Sequence, residues 1–301
     1  MQIIVSGSSG LIGSAVLSAL AEGGHEAVRL VRREPADAGE VRWDPAAGTI
    51  NASGLEGADA VVHLAGESIA SGRWTARKMA RIRSSRVDAT RLLAEALAGL
   101  RKKPKVLVAA SAIGYYGSRG EEVLREESPA GEGFLAELCR DWEAAAQPAV
   151  EAGIRVVWPR IGVVLAAEGG ALAAMLTPFR LGLGGRVGSG RQMVSWIAIG
   201  DLVRVILEAI HNDELAGAVN AVSPWPVTNG ELAATLGHVL RRPAVLPLPA
   251  WAARLVLGRM ADALLLASAC VEPARLLAMG FEFRHPEFEG ALRHVLGRPA
   301  P

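Results

Sequence analysis

Short apolar runs alternate with longer stretches of helical period through the first two thirds of the chain. Gln2-Ile3-Ile4-Val5-Ser6 opens as a β-branched strand. From Leu11 to Ala21 the apolar positions Leu11, Ala15, Val16 and Leu20 recur at helical spacing, and Gly23-Gly24 ends that segment. Glu26 to Val31 predicts a second strand, and Val41 to Pro45 with Gly48 to Ile50 a short extended excursion. Ala60 to Glu67 reads as a buried strand closing in a glycine turn. Lys78 to Leu100 predicts a long helix that buries Ile82, Ala89, Leu92, Leu93 and Leu97. Lys105 to Ala110 is the next strand, Phe134 to Ala152 an amphipathic helix, and Arg155 to Trp158 a strand closed by Pro159-Arg160. Strands that alternate with helices predict an α/β fold built on a doubly wound parallel sheet.

The last third reads differently. Gly169-Gly170 precedes a helix from Ala171 to Arg180, and a glycine-rich loop from Gly182 to Gly190 follows, with Arg186 and Arg191 as anion-binding or surface residues. Val194 to Ile197 is extended, and Asp201 opens a helix to His211 as a favourable charge for its N-terminal dipole. Ala218 to Val222 predicts a strand, and Thr228 or Asn229 caps a helix beginning near Gly230. Pro243 to Pro249 is an apolar connector, before three short helices at Trp251–Leu257, Pro273–Met279 and Pro286–Leu296 whose stripes form a packed lobe. Residues 1–221 are therefore expected as one domain, with 162–197 contributing to a smaller substrate lobe completed by 222–301.

Composition narrows the possible partners. The 301 residues carry a net charge of +1, which offers no broad field for nucleic acid or a membrane surface. Arg254, Arg259 and Asp262 interrupt the apolar stretch from Trp251 to Val271, so it does not predict a membrane span. Cys139 and Cys270 form no metal-ligand pattern and fit a reducing compartment. Met1 leads straight into a strand without the basic region of a signal peptide. The expectation is a cytoplasmic monomer or homodimer with a small-molecule substrate, no metal, and neither nucleic acid nor membrane as partner.

The candidate chemistry begins at Gly7-Ser8-Ser9-Gly10-Leu11-Ile12-Gly13. Strand, glycine turn and helix in succession form the context of a dinucleotide fingerprint, with free helix amides facing a pyrophosphate. In such folds an acid about 20 residues further on bonds the ribose hydroxyl, whereas arginine accommodates a 2′-phosphate. Arg32 and Arg33 stand there, with Glu34 slightly late for the acid's role, so NADP (NADPH) is favoured over NAD. The candidate cofactor contacts are Gly7, Ser8, Gly10, Leu11, Ile12, Gly13 and Arg32, then Leu64, Ala65 and Gly66, with Arg86 and Arg160. Ser111, Tyr115 and Tyr116, at the carboxyl edge of a strand, are the candidates for proton chemistry. His63, inside a buried strand, reads as a satisfied core residue.

Gly7-x-x-Gly10-x-x-Gly13, His63-Leu64-Ala65-Gly66 and the serine and Tyr-Gly after the fourth core strand resemble the extended short-chain dehydrogenase/reductase superfamily. His63 to Ile69, Trp74, Ser85-Arg86, Ser111 to Gly117, Trp142-Glu143, Arg180 to Gly185 and Ser195-Trp196-Ile197 resemble, more narrowly, its atypical epimerase-family branch with a C-terminal domain of uncharacterised function. The resemblance implies a Rossmann-type fold, bound NADP, and an oxidoreductase or sugar-nucleotide-type epimerase activity on an unidentified small substrate. It also implies a Tyr-x-x-x-Lys pair on the helix after the serine strand, which this chain lacks. Aligned on Glu143, the tyrosine position holds Leu135 and the lysine position Cys139; Phe134 through Ala152 contains neither residue type. Relatives often carry histidine where Ala198 stands. Three substitutes stay open: Tyr115 or Tyr116 as proton donor with Ser111 polarising a carbonyl, a substrate or water network, or a non-catalytic NADP-binding sensor or regulator.

Overall fold

The computed structural model describes residues 1–299. Ala300 and Pro301, at the end of the expected second domain, lie outside the described residues. In chain order the first part comprises β1 (Gln2–Ser6), α1 (Leu11–Glu22), β2 (Glu26–Val31), β3 (Glu40–Asp44), β4 (Thr49–Ile50), β5 (Ala60–His63) and α2 (Ala76–Ala98). Next come β6 (Val106–Ala109), β7 (Ser111–Ala112), β8 (Val123–Leu124), α3 (Phe134–Ala144), α4 (Gln147–Glu151), β9 (Arg155–Ile161) and β10 (Val163–Leu165). The remainder is α5 (Gly170–Arg180), β11 (Met193–Val194), β12 (Trp196–Ala198), α6 (Ile199–His211), β13 (Gly217–Ala221), β14 (Val227–Thr228), α7 (Asn229–Leu240), α8 (Ala250–Leu257), β15 (Cys270–Val271), α9 (Ala274–Ala278) and α10 (Phe288–Val295).

The main sheet runs β13-β9-β6-β5-β1-β2-β3-β4, parallel throughout except for β4, with β7 pairing the end of β9. The expected doubly wound α/β fold is present. Strand order reverses between β1 and β5, and this switch point is where such sheets bind ligands. Both faces are covered, so the central strands are apolar on both sides rather than alternating. Ile3, Val5 and Val62 meet Val16, Leu20, Leu202 and Ile206 of α1 and α6 on one face. On the other, Ile4, Val61 and Leu107 meet Leu93 and Leu97 of α2 and Ala149 of α4. Each large side chain fully buried there contributes about 1.5–3 kcal/mol.

The predicted helix from Phe134 to Ala152 is two helices: α3 ends at Ala144 and α4 starts at Gln147. Pro148 sits in the first turn of α4, where its missing N–H breaks no helical bond, but inside one long helix it would. The lobe has its own core, in which Leu172, Leu176 and Phe179 of α5 and Trp196 of β12 pack against Leu232 and Leu236 of α7 and Phe288 of α10. Thr228, rather than Asn229, caps α7, in a capping box with Glu231.

The two expected parts, 1–221 and 222–301, are joined by extensive contacts. Cys270-Val271 pairs parallel with Val123-Leu124, and Leu276, Phe281 and Phe283 pack into the core beneath the main sheet. Arg275 clamps the carbonyls of Ala216 and Ala218 at the sheet's edge. Residues 270–284 thus pack against the part of the chain that carries the main sheet. Asp201 fixes that return: fully buried in the first turn of α6, it accepts the Arg284 and His285 amides at 2.8 and 2.9 Å. Among the described residues no helix is long and apolar enough to cross a membrane.

Candidate functional site

Two clusters of predicted residues lie at the carboxyl edge of the sheet. The first is the turn between β1 and α1. Gly7 has φ +68°, and a Cβ there would stand 2.7 Å from the Leu64 carbonyl carbon and 2.8 Å from the Ala65 amide nitrogen. A Cβ on Gly13 would stand 2.2 Å from the Gly7 oxygen. Backbone therefore fills the space that side chains would need, and the turn, the end of β5 and α1 close on each other. Gly10 is the N-cap of α1 and has no side chain to cap it, which leaves the first-turn amides directed outward. Ser6 ties the seam, its Oγ accepting from the Leu64 and Ala65 amides at 3.2 and 3.3 Å.

His63 lies under this seam, fully buried. Its Nδ1 is 2.6 Å from Ser6 Oγ and its Nε2 3.0 Å from Thr90 Oγ1, which also accepts the Trp142 indole N–H at 2.9 Å. Because Ser6 already accepts two amides, its own proton goes to Nδ1, and Nε2–H donates to Thr90. Burial holds the imidazole neutral, with its pKa pushed down to about 4. The ring is a structural link between two strands and α2, as expected.

The arginines at the end of β2 have divided their roles. Arg33 makes a bidentate pair with the buried Glu40, at 2.6 and 2.7 Å, and Glu34 pairs with Arg42. The Arg33 bonds hold the Glu40 carboxyl below its ordinary range. Arg32 is exposed and, among the described residues, has no acidic partner. Arg86 reaches the end of β5: its guanidinium donates to the Glu67 carbonyl at 2.9 Å and lies where a side chain on Gly66 would stand. Beside it Glu67 accepts the buried Lys78 ammonium at 2.6 Å.

The second cluster centres on Glu143, which the sequence singled out only as an alignment marker. Register places Ser111 opposite Arg160 across β7 and β9. Ser111 Oγ donates to Glu143 Oε1 at 2.7 Å, while Arg160 holds the same carboxylate through Nε and Nη2, both at 2.9 Å. Arg160 Nη1 donates to the Tyr116 hydroxyl at 2.9 Å, and Tyr116 donates to Asn220 Oδ1 at 2.7 Å. The guanidinium also lies over the Tyr115 ring, 3.4 Å from its centroid. Burial pulls Arg160 down, but the Glu143 bonds and charge outweigh it and hold the guanidinium above its usual value. Burial likewise pushes the Tyr116 phenol up to about 12, and it has no exposed surface. Tyr116 is thus a structural strut of this network, and of the two phenols only Tyr115 is partly exposed.

Leu135, Cys139 and Glu143 recur every fourth residue on one face of α3. A Cβ on Gly114 would meet Leu135 Cβ at 3.2 Å and Cys139 Sγ at 3.7 Å. The two substituted positions therefore face the serine turn, as the alignment requires. Burial pushes the Cys139 thiol up to about 12, so it supplies neither a thiolate nor the missing cation. Arg186 and Arg191 are exposed on the lobe. Among the described residues no group of acidic, histidine or cysteine side chains is arranged to hold a metal.

The second lobe closes against this edge, where Leu257, Met260 and Leu264 pack with Trp74, Phe134 and Leu135. A doubly wound sheet with a glycine turn at its switch point and a lobe over its carboxyl edge defines a Rossmann-type nucleotide-binding protein. The chain belongs to the NAD dependent epimerase/dehydratase family, which matches residues 3–221; residues 248–295 match a domain of unknown function, DUF1731. An epimerase family protein of Mycobacterium leprae is 42% identical over 99% of this chain and 96% of its own. The crystal structure of the human epimerase family protein SDR39U1 with NADPH superposes with a TM-score of 0.90 at 37% identity, covering 99% of both chains. A Corynebacterium glutamicum structure described as a nucleoside-diphosphate sugar epimerase gives a TM-score of 0.81 at 38% identity, over 99% of this chain and 58% of that one.

Proposed function

We propose that this protein binds NADP(H) and is an oxidoreductase that interconverts an alcohol and a carbonyl on a small substrate. The glycine turn, whose missing side chains leave room only for backbone, and the uncapped amides of α1 fit a pyrophosphate. Arg32, exposed and without an acidic partner among the described residues, is the cation for the 2′-phosphate. The cofactor, when bound, accepts or supplies the hydride.

The observation that carries the chemistry is the Ser111–Glu143 hydrogen bond, clamped by Arg160. Ser111 is only 2% exposed, but because it donates to the carboxylate its lone pairs remain to accept a proton from a substrate hydroxyl that reaches this narrow opening, which fully buried Tyr116 does not offer. The serine proton then moves to Glu143 Oε1 as the substrate proton arrives on Oγ, so one acid–base unit replaces the absent tyrosine. Tyr115, with one face on Arg160, borders the same turn.

NADPH deuterated at C4, incubated with the protein and a metabolite extract, tests this reading. Transfer of deuterium into a product, reduced about 10²–10⁴-fold in Glu143→Gln with NADPH affinity retained, is the expected result. Tight NADPH binding without any label transfer overturns the oxidoreductase reading and leaves a binding protein.

A further inference from the structure

The lobe carries an apolar face that nothing among the described residues covers. Leu181 and Leu183 are 69% and 58% exposed, and Val245 and Leu246 are 75% and 50% exposed. These two segments run side by side: the Leu246 amide donates to Gly184, Leu248 to Arg186 and Gly188 to Leu248, at 2.9–3.1 Å. The second segment passes through Pro249 directly into α8. That helix turns Ala253 and Leu257 inward and leaves Trp251, Leu255 and Val256 64–70% exposed. An isolated exposed leucine is ordinary, but several exposed apolar side chains on paired and directly successive segments, with a tryptophan among them, mark an interaction surface.

Its charge is one-sided. Residues 180–191 and 241–259 contain seven arginines and no aspartate or glutamate. All seven are exposed, and among the described residues only Arg254 has an acidic partner, Asp262. The chain-wide charge of +1 conceals this local excess. A cavity of about 550 Å³ beside the face is lined by His238, Arg241, Arg242 and Arg293, and none of the exposed apolar side chains borders it. Glu289 pairs with Arg293 at 2.7 Å and lies 3.7 Å from His238, so Arg241 and Arg242 supply its unpaired charge among the described residues. Apolar side chains thus project outward, while the neighbouring recess is cationic.

These features select an occupant. A second copy docked about a two-fold axis would set arginine against arginine. Pro243, Pro247 and Pro249 remove N–H donors from the outer segment, which blunts strand addition by a partner chain. Exposed aliphatic and indole groups interspersed along the chain with exposed arginines, next to a recess lined by Arg241 and Arg242, match the acyl boundary and phosphates of an anionic bilayer. We propose that this face docks peripherally on anionic membrane surfaces, with Trp251 and Leu255 at the acyl boundary and the arginines on lipid phosphates.

The experiment is co-sedimentation of the full chain with vesicles of phosphatidylglycerol and phosphatidylcholine (1:1), against phosphatidylcholine alone. Wild type is expected to pellet with the anionic vesicles, to release in high salt, and to show a blue-shifted emission that Trp251→Phe removes. Arg242→Glu/Arg259→Glu and Leu255→Ser are each expected to weaken partition at least about tenfold with the melting temperature unchanged. The proposal is overturned if wild type stays in the supernatant with anionic vesicles, or if either variant pellets like wild type. It is also overturned if light scattering shows a dimer that Leu255→Ser dissociates. Binding to an acidic amphipathic peptide without vesicle binding would assign the face to a protein partner instead.

Discussion

The two clusters at the carboxyl edge are built on opposite plans. Around Gly7 and Gly13, backbone meets backbone and polar groups are left over: the first-turn amides of α1 have no side-chain cap, and among the described residues Arg32 has no acidic partner. Around Glu143, side chains meet side chains, and Ser111, Arg160, Tyr116 and Asn220 satisfy one another. The first arrangement is completed by a ligand. The second is complete without one, and a substrate must work through the groups it leaves accessible. Binding geometry and reaction chemistry are separable in this fold, and here the first persists while the usual agents of the second, at positions 135 and 139, are replaced.

The sharpest way to break the first plan is Gly13→Ala. Its Cβ would stand 2.2 Å from the Gly7 oxygen, so the turn must open. A loss of about 4 kcal/mol in stability, with NADPH binding abolished, is expected in melting and fluorescence titrations. Gly10→Ala is the control: its Cβ would stand 3.2 Å from the Gly7 oxygen, and the cost stays below about 1 kcal/mol. Equal effects from the two would mean that the close approach does not set the turn.

Arg160→Met breaks the second plan by leaving the Glu143 charge without its partner in a mostly buried site. Removing one member of such a pair costs about 3–5 kcal/mol, and replacing both with apolar residues restores much of it. Denaturant unfolding of Arg160→Met, Glu143→Leu and the double variant measures the coupling. A double variant as unstable as the sum of the singles would show that the network is not a unit.

The seam between β1 and β5 gives a pH signature. The His63 ring titrates near 6.5 when unfolded and at about 4 in the fold, so the unfolded chain binds the extra proton between those values. Its contribution is complete above pH 6.5 and is lost as pH falls toward 4, about 3 kcal/mol across the window. In His63→Asn this part of the decline is absent. Subtracting its pH–stability curve from that of wild type removes the common carboxylate titrations, and a flat difference would refute the assignment.

How much the sequence disclosed follows the same divide. The glycine turn is local, because three spaced glycines after a strand encode their own geometry, and strand–helix alternation encoded the doubly wound sheet. The Glu143 network is tertiary. Ser111, Tyr116 and Arg160 were each legible as polar residues after strands, but their union depends on the β7–β9 register and on the crossing of α3, which no single segment specifies. Glu143 carried one readable signal, its place four residues after Cys139 and eight after Leu135. The packing of residues 270–284 against the main sheet had none, since two-residue strands and a buried aspartate's hold on distant amides leave no periodicity. Local charge escaped for a related reason: balance over the whole chain averages away the arginine-only face of the lobe.

Arg32 and Arg33 allow the finest comparison, because adjacent residues of one type are assigned to opposite plans. Arg33 closes on buried Glu40, which Arg29 also reaches at 2.9 Å, so it behaves like the self-satisfied network. Among the described residues Arg32 has no acidic partner, and in this it resembles the uncapped amides. Arg32→Ala should lower NADPH affinity about ten- to a hundredfold, as expected for about 1.5–3 kcal/mol from a charge-assisted bond, and leave NADH affinity and the melting temperature unchanged. Arg33→Ala should lower the melting temperature and leave the NADPH/NADH preference intact. If Arg33→Ala instead erases that preference, the 2′-phosphate draws Arg33 away from Glu40, and the end of β2 is a switchable site rather than a divided one.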